Sequence, residues 1–194
     1  YGMTFQAYCR GRRLGNALTA IRDGGALDEV ILGHGYDSHS GFREAFSKTF
    51  GRPPGQSRER DCIRLAWMES PVGPLVAGAT ETGICLLEFT DRRMLETQFA
   101  TLRNRFRLPL VPGNHRHIEL LTRELVEYFD GKRTRFTVPL DYPGTPFQRR
   151  VWEALLEIPC GETRSYGELA RHLGLPGGAR AVGHANGLNR IGIV

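Results

Sequence analysis

The stretch Gly144-Thr145-Pro146-Phe147-Gln148, with Ser165-Tyr166-Gly167-Glu168 downstream of it, decides how the C-terminal block of this chain is read. In the first segment threonine stands at the N-cap, proline at the first helical position, and glutamine three residues past the cap. Such side chains satisfy amides that the first helical turn leaves unpaired. This capping box predicts a helix through residue 157. Ser165 and Glu168 repeat the logic and start a second helix that ends near residue 173. Gly174, Gly177 and Gly178 supply a turn, and residues 179–186 form a third, short helix. Helix, tight turn and helix is the helix-turn-helix pattern.

Working outward, two proline- and glycine-rich stretches divide the chain, at residues 51–56 and 141–146. Proline lacks an amide proton and fixes its backbone angle, so such clusters mark linkers or sharp turns. Three domains follow, at residues 1–56, 61–141 and 144–194. The middle one opens with strand signals at 63–68, 75–79 and 84–89, the last two joined at Glu81-Thr82-Gly83. Helices are predicted at 92–106 and 115–129, then an extended segment at 136–140. Strands grouped before helices give an α+β domain.

The N-terminal block reads as helices at 4–21, 27–34 and 38–50, with Asp37 as N-cap of the last. A turn at 33–36 separates the two shorter helices, which makes a second helix-turn-helix candidate. Ser38, His39, Ser40 and Arg43 would occupy the exposed start of its second helix, where a recognition helix meets bases and phosphates. Phe42, Phe46 and Phe50, four residues apart, form the buried stripe of an amphipathic helix. Helical hairpins of this kind also occur in proteins that never touch DNA.

Composition narrows the class. Apolar residues make up 40% and charged residues 24%, and no apolar run approaches the length of a membrane-spanning helix, so a soluble globular protein is expected. The net charge of +5 rests on arginine, with lysine at Lys48 and Lys132 alone. Arginine suits phosphate contacts, but a high-GC genome favours it equally. Cys9, Cys62, Cys85 and Cys160 form no Cys-x-x-Cys pair and follow no secretory leader, which points to a reducing cytoplasm, and the resemblance given below implies a bacterial one. His115 with His117, and His34 with His39, lack further ligands at suitable spacing, and no metal is expected.

Two resemblances attach to these blocks. Gly2-Met3-Thr4-Phe5, then Gly35-Tyr36-Asp37-Ser38-His39-Ser40-Gly41-Phe42 and Phe46-Ser47-Lys48-Thr49-Phe50-Gly51-Arg52-Pro53-Pro54, resemble the linking helix and second helix-turn-helix of AraC-type DNA-binding domains. Gly144 to Gln148, Val151-Trp152, Ile158-Pro159-Cys160-Gly161-Glu162-Thr163, Ser165-Tyr166 and Ala179-Arg180-Ala181-Val182-Gly183 are similar to the O6-alkylguanine-DNA alkyltransferases. The turn Ser70-Pro71-Val72-Gly73-Pro74-Leu75 looks like part of that family's ribonuclease-H-like domain. The combination resembles the Ada-like bifunctional proteins, which repair alkylated DNA and activate transcription.

The resemblance implies a multidomain α and α+β fold. It comprises an all-α AraC-type piece, a ribonuclease-H-like α+β domain, and a helical alkyltransferase domain with a winged-helix-like helix-turn-helix. It implies double-stranded DNA as partner, both lesion and promoter, RNA polymerase for an activator, no membrane, and a monomer. Arg180 matches the arginine that fills the stack after the lesion is flipped out, and Tyr166 the tyrosine that helps rotate the nucleotide. Ala179 and Gly183 match small residues that let the helix approach the DNA backbone, and Asn189 an asparagine that organises the turn before the active site. Each also has a plain structural reading: a solvated helix-start cation, a half-buried packing residue, a close helix contact.

The family's reactive cysteine lies in a Pro-Cys-His-Arg motif, which is absent from these residues. Tyr1 is not an initiating methionine, and residues 191–194 read as the start of a buried strand. We expect an internal piece of a longer protein, with the nucleophile just after Val194, so that the piece alone would not transfer alkyl groups. Cys160 copies half the motif in Pro159-Cys160, but it follows a helix C-terminus, where the backbone charge disfavours a thiolate. Cys62 and Cys85 read as buried packing residues, and Cys9 has no evident role. No cofactor is expected in this chain; the zinc site of Ada-like proteins would lie upstream. The rival expectation is a non-enzymatic DNA-binding regulator or a lesion sensor lacking the nucleophile.

Overall fold

The computed structural model describes residues 4–56, 62–92 and 95–194. Expectations resting on residues 1–3, 61, 93 and 94 lie outside them. Three helices come first: α1 (Phe5–Arg22), α2 (Leu27–Gly33) and α3 (His39–Phe50). Strands β1 (Ile63–Met68), β2 (Leu75–Ala79) and β3 (Ile84–Phe89) follow at the bounds read from sequence. Next come α4 (Leu95–Phe106), β4 (Leu110–Pro112) and α5 (Arg116–Phe129), and finally α6 (Pro146–Leu156), α7 (Tyr166–His172) and α8 (Ala179–Gly187).

The first unit is organised by its phenylalanines. Phe42, Phe46 and Phe50 are all but fully buried and stack along α3, at 5.4 and 4.4 Å between successive rings. They pack with Leu14, Leu18 and Ile21 of α1 and Val30 and Ile31 of α2. The cap of α3 is Ser38 rather than Asp37: Ser38 has the extended backbone of an N-cap, and its Oγ accepts from the Gly41 amide at 3.2 Å. Asp37 sits one residue too early to reach that amide.

The sheet runs β3-β2-β1-β4, with β1 to β3 antiparallel and β4 parallel to β1. Strand β2 is buried along its whole length because helices cover both faces. Leu75, Ala77 and Ala79 face Ile118, Leu121 and Leu125 of α5; Val76 faces Leu95, Phe99 and Leu102 of α4. The sequence reading missed β4. The expected extended segment 136–140 yields one bridge, Ile84 to Leu140, instead of a strand. Likewise residues 191–194 form a single bridge, Leu87 to Ile191, and Ile193 turns away with φ 73°. Both segments close the outer edge of β3 without extending the sheet.

Glu124 of α5 is 1% exposed and fixes the chain that leaves the sheet for the last unit. It accepts from the Thr137 amide at 2.9 Å, the Val138 amide at 3.1 Å and the Thr137 hydroxyl, with Arg133 at 3.3 Å. Burial alone would raise its pKa; these donors and the guanidinium outweigh it and hold the carboxyl below the ordinary range.

Helix α1 packs against the edge of the sheet as well as against α2 and α3. Val111 of β4 and Cys62, just before β1, belong to the same apolar cluster as α1, α2 and α3. Arg64 of β1, 5% exposed, donates to the Gly15 carbonyl of α1 at 2.7 Å and to the Thr19 hydroxyl. At the far end of α1, Arg22 pairs with Glu81 of the β2–β3 turn at 2.8 Å. Gly15 makes the approach possible, since a Cβ there would lie 2.4 Å from Val111 and 2.3 Å from the Arg64 guanidinium. Gly15→Ala is therefore expected to cost about 1–3 kcal/mol by overpacking. Thermal unfolding monitored by circular dichroism would show the drop; an unchanged midpoint would contradict this packing. Among the described residues no helix is long and apolar enough to cross a membrane.

Candidate nucleic-acid interface

The last unit is built on its caps. Thr145 and Gln148 close one capping box on α6, and Ser165 and Glu168 close a second on α7, as the sequence predicts. Val151, Trp152 and Ala154 of α6 pack with Leu169 and Ala170 of α7 and Val182 and Ala185 of α8. Trp152 adds a direct tie, its indole Nε1 donating to the Ala185 carbonyl at 2.9 Å. Apolar burial thus fixes α8 against α6 and α7 and leaves its other face free.

On that face the structure brings together most of the residues expected at the site. Arg180 is exposed in the first turn of α8 and has no partner among the described residues. Ala179, half-buried, precedes it, and Gly178 caps the helix without a side-chain hydrogen bond. The amides of the first turn are therefore open to an anion, which the helix dipole also favours. Tyr166, 45% exposed at the start of α7, lies over Gly183. A Cβ at Gly183 would come within 2.9 Å of the tyrosine ring, so the space that glycine leaves is taken by Tyr166. The Tyr166 hydroxyl accepts from the Asn186 side-chain amide at 3.0 Å. Sequence reading missed Asn186. The signal available was its position three residues after Gly183, which puts both on one helix face.

Asn189 grips Ile191 from both sides, its Oδ1 accepting from the Ile191 amide at 3.1 Å and its Nδ2 donating to the Ile191 carbonyl at 3.0 Å. That grip sets the turn which delivers Ile191 to β3, where the Leu87 amide donates to the Arg190 carbonyl at 2.8 Å and Gly192 donates back to Leu87 at 2.9 Å.

The cysteines divide by environment. Cys85 is 1% exposed, and burial, helped by nearby Asp141, pushes its thiol far above the ordinary range. Cys62 is 4% exposed in the cluster it shares with α1. Cys9 is half-buried on α1, and Cys160 is exposed in the turn after α6. His115 and His117 are engaged at the β2–β3 turn: His117 contacts the Glu81 carbonyl at 3.1 Å, and His115 lies 3.7 Å from the Glu81 carboxylate.

In the first unit the four residues expected on the recognition helix differ in what they have free. Ser38 is committed as a cap and lies 3.4 Å from the Ser40 hydroxyl; His39 leans on Asp28 of α2 at 3.5 Å. Arg43 is exposed and has no partner among the described residues.

Two helix-turn-helix units on either side of a helix-covered mixed sheet therefore define the class of protein. Comparison with known families agrees with this division. The model of the 6-O-methylguanine DNA methyltransferase DNA binding domain matches residues 146–194, that of its ribonuclease-like domain residues 63–142, and a helix-turn-helix domain residues 1–60. The chain is 42% identical over 132 residues to the methylated-DNA–protein-cysteine methyltransferase of Mycobacterium leprae (strain TN), covering 68% of this chain and 74% of that one. It is 30% identical over its whole length to the bifunctional transcriptional activator/DNA repair enzyme Ada of Escherichia coli (strain K12), of which it spans 55%. Among solved structures, Mycobacterium tuberculosis OGT in complex with DNA superposes with a TM-score of 0.55 at 40% identity, covering 68% of this chain and 73% of that one. The chain belongs to the methylated-DNA–protein-cysteine methyltransferase family, in the Ada-like form that carries a helix-turn-helix domain ahead of it.

Proposed function

We propose that this protein repairs DNA by moving an alkyl group from guanine O6, or thymine O4, onto one of its own cysteines. The observation that carries the reading is the free face of α8. An unpartnered Arg180 projects from a helix start whose amides are open, beside an exposed Tyr166. A lesion inside a stacked duplex is out of reach until its nucleotide is rotated outward, and the vacated stack needs a filler. Arg180 fills the stack, the α8 amides and Ala179 take the phosphate backbone, and Tyr166 holds the rotated nucleotide.

In the chemical step a thiolate attacks the alkyl carbon. The sulfur–carbon bond forms as the carbon–O6 bond breaks, the electron pair goes to the guanine oxygen, and a proton restores the base. One protein molecule is consumed per lesion, and the reaction as written needs no metal or cofactor. We assign the thiolate to a cysteine outside residues 1–194, because Cys62 and Cys85 are buried, Cys9 lies on α1 of the first unit, and no helix N-terminus supports Cys160. Asn189 orders the turn leading towards it.

The first unit, in this reading, docks a promoter through α3, with Arg43 as the free contact and Ser38, His39 and Ser40 shaping the helix start, and an activator of this kind engages RNA polymerase. The test is to express the complete reading frame containing residues 1–194 and incubate it with duplex carrying labelled O6-methylguanine. One labelled methyl per protein molecule is expected. Lesion-selective binding without label transfer would make the protein a sensor instead.

A further inference from the structure

We propose that Asn186 is a positioning residue for Tyr166, and that it sets the direction in which the tyrosine hydroxyl donates. The proposal rests on the repair reading above. Three observations support it. The Asn186 Nδ2 donates to the Tyr166 hydroxyl oxygen at 3.0 Å across a separation of 20 residues, joining α8 to the start of α7. Gly183, one turn before Asn186, seats the aromatic ring so closely that a Cβ would meet it at 2.9 and 3.0 Å. The residue is nonetheless 45% exposed.

A phenol has one proton to donate and lone pairs to accept with, whereas a carboxamide nitrogen only donates. When Asn186 occupies a lone pair of the Tyr166 oxygen, the hydroxyl proton is left for another acceptor. On this face the acceptor is a DNA phosphate oxygen or the backbone of the rotated nucleotide. Asn186 therefore fixes Tyr166 at two levels: it holds the ring on Gly183, and it makes the hydroxyl a donor facing outward. It touches no reacting atom itself. An exposed tyrosine without this partner would sample several rotamers and offer its proton in several directions, and that freedom would be lost at the moment of flipping.

The identity of the donor makes the proposal testable. Asn186→Ala removes the hold, while Asn186→Asp reverses it, because a carboxylate can only accept and so takes the phenol proton that the DNA needs. The experiment uses the full-length protein and a duplex with 2-aminopurine beside O6-methylguanine, read by stopped-flow fluorescence for flipping and by label for transfer. It is run at about 0.3 M salt to screen simple charge repulsion. Asn186→Ala is expected to slow flipping about 3- to 10-fold, the size of one lost hydrogen bond. Asn186→Asp should slow it several-fold further, and affinity for undamaged duplex should stay within two-fold for Asn186→Ala. In a Tyr166→Phe background, where the hydroxyl is gone, Asn186→Ala should change flipping by less than about two-fold.

Equal slowing by Asn186→Ala in both backgrounds would overturn the proposal, since Asn186 would then act elsewhere. So would equal slowing by the Ala and Asp variants beside Tyr166. Either result leaves the repair reading standing as long as the unaltered protein flips and accepts methyl. If the unaltered protein does neither, the repair reading falls and this proposal with it.

Discussion

Replacing Arg180 by alanine is expected to abolish most lesion flipping while leaving the fold unchanged. The side chain is exposed, makes no hydrogen bond or ion pair among the described residues, and contributes nothing to the core of Val151, Trp152, Leu169 and Val182 beneath it. Its removal should therefore cost little stability. On the repair reading proposed above, the balance on DNA differs. Unstacking a nucleotide costs a few kcal/mol, and a guanidinium in the vacated stack offsets much of that. Losing roughly 2–3 kcal/mol in the flipped state slows single-turnover methyl transfer about 30- to 150-fold. Thermal unfolding and binding of undamaged duplex serve as controls, the latter falling only by one lost cation. Transfer at the unaltered rate would remove Arg180 from the mechanism.

The largest stability effect is expected at Glu124. Truncation to alanine leaves the Thr137 and Val138 amides without their acceptor and opens space beneath α5. Such losses sum to about 3–5 kcal/mol. For a chain of this size that is a fall of roughly 10 °C in melting temperature. The acid limb of stability follows from the same carboxylate. Its pKa is held below the ordinary value, so the folded state favours the ionised form. The contribution is present in full above the usual glutamate range, near pH 4.5, and is lost as pH falls through the lowered value. Glu124→Gln should therefore be less stable at pH 7 and flatter between about pH 5 and 2. Denaturant midpoints across that range are the measurement; parallel curves for the two proteins would contradict the assignment.

What the sequence revealed depended on whether the signal was local. Both capping boxes were legible because Thr145 with Gln148, and Ser165 with Glu168, are three residues apart and interact within one turn. Strands β1, β2 and β3 were legible because glycine-bearing turns bound apolar runs. Strand β4 was not: three residues ending in Pro112 become a strand through parallel pairing with Ile63, Arg64 and Leu65, far away in sequence. Its edge position tolerates the proline. Ser38 and Asp37 were both acceptable caps by composition, and backbone geometry chose between them. At the candidate site, Tyr166, Arg180, Gly183 and Asn189 were reached through resemblance to a family. Asn186 shares a helix face with Gly183, but spacing alone gave it no role, since its partner Tyr166 lies on another helix.

The docking of α1 has a consequence for taking the molecule apart. A covalent linker and a packing boundary need not coincide, and here Val111, Cys62 and Arg64 stay on one side of a cut made directly after residue 56 while the helix they clasp stays on the other. Two separately expressed halves should find each other again through that clasp, as split proteins do. The sheet-bearing half alone should be sticky, because the surface that α1 normally covers would be left facing water.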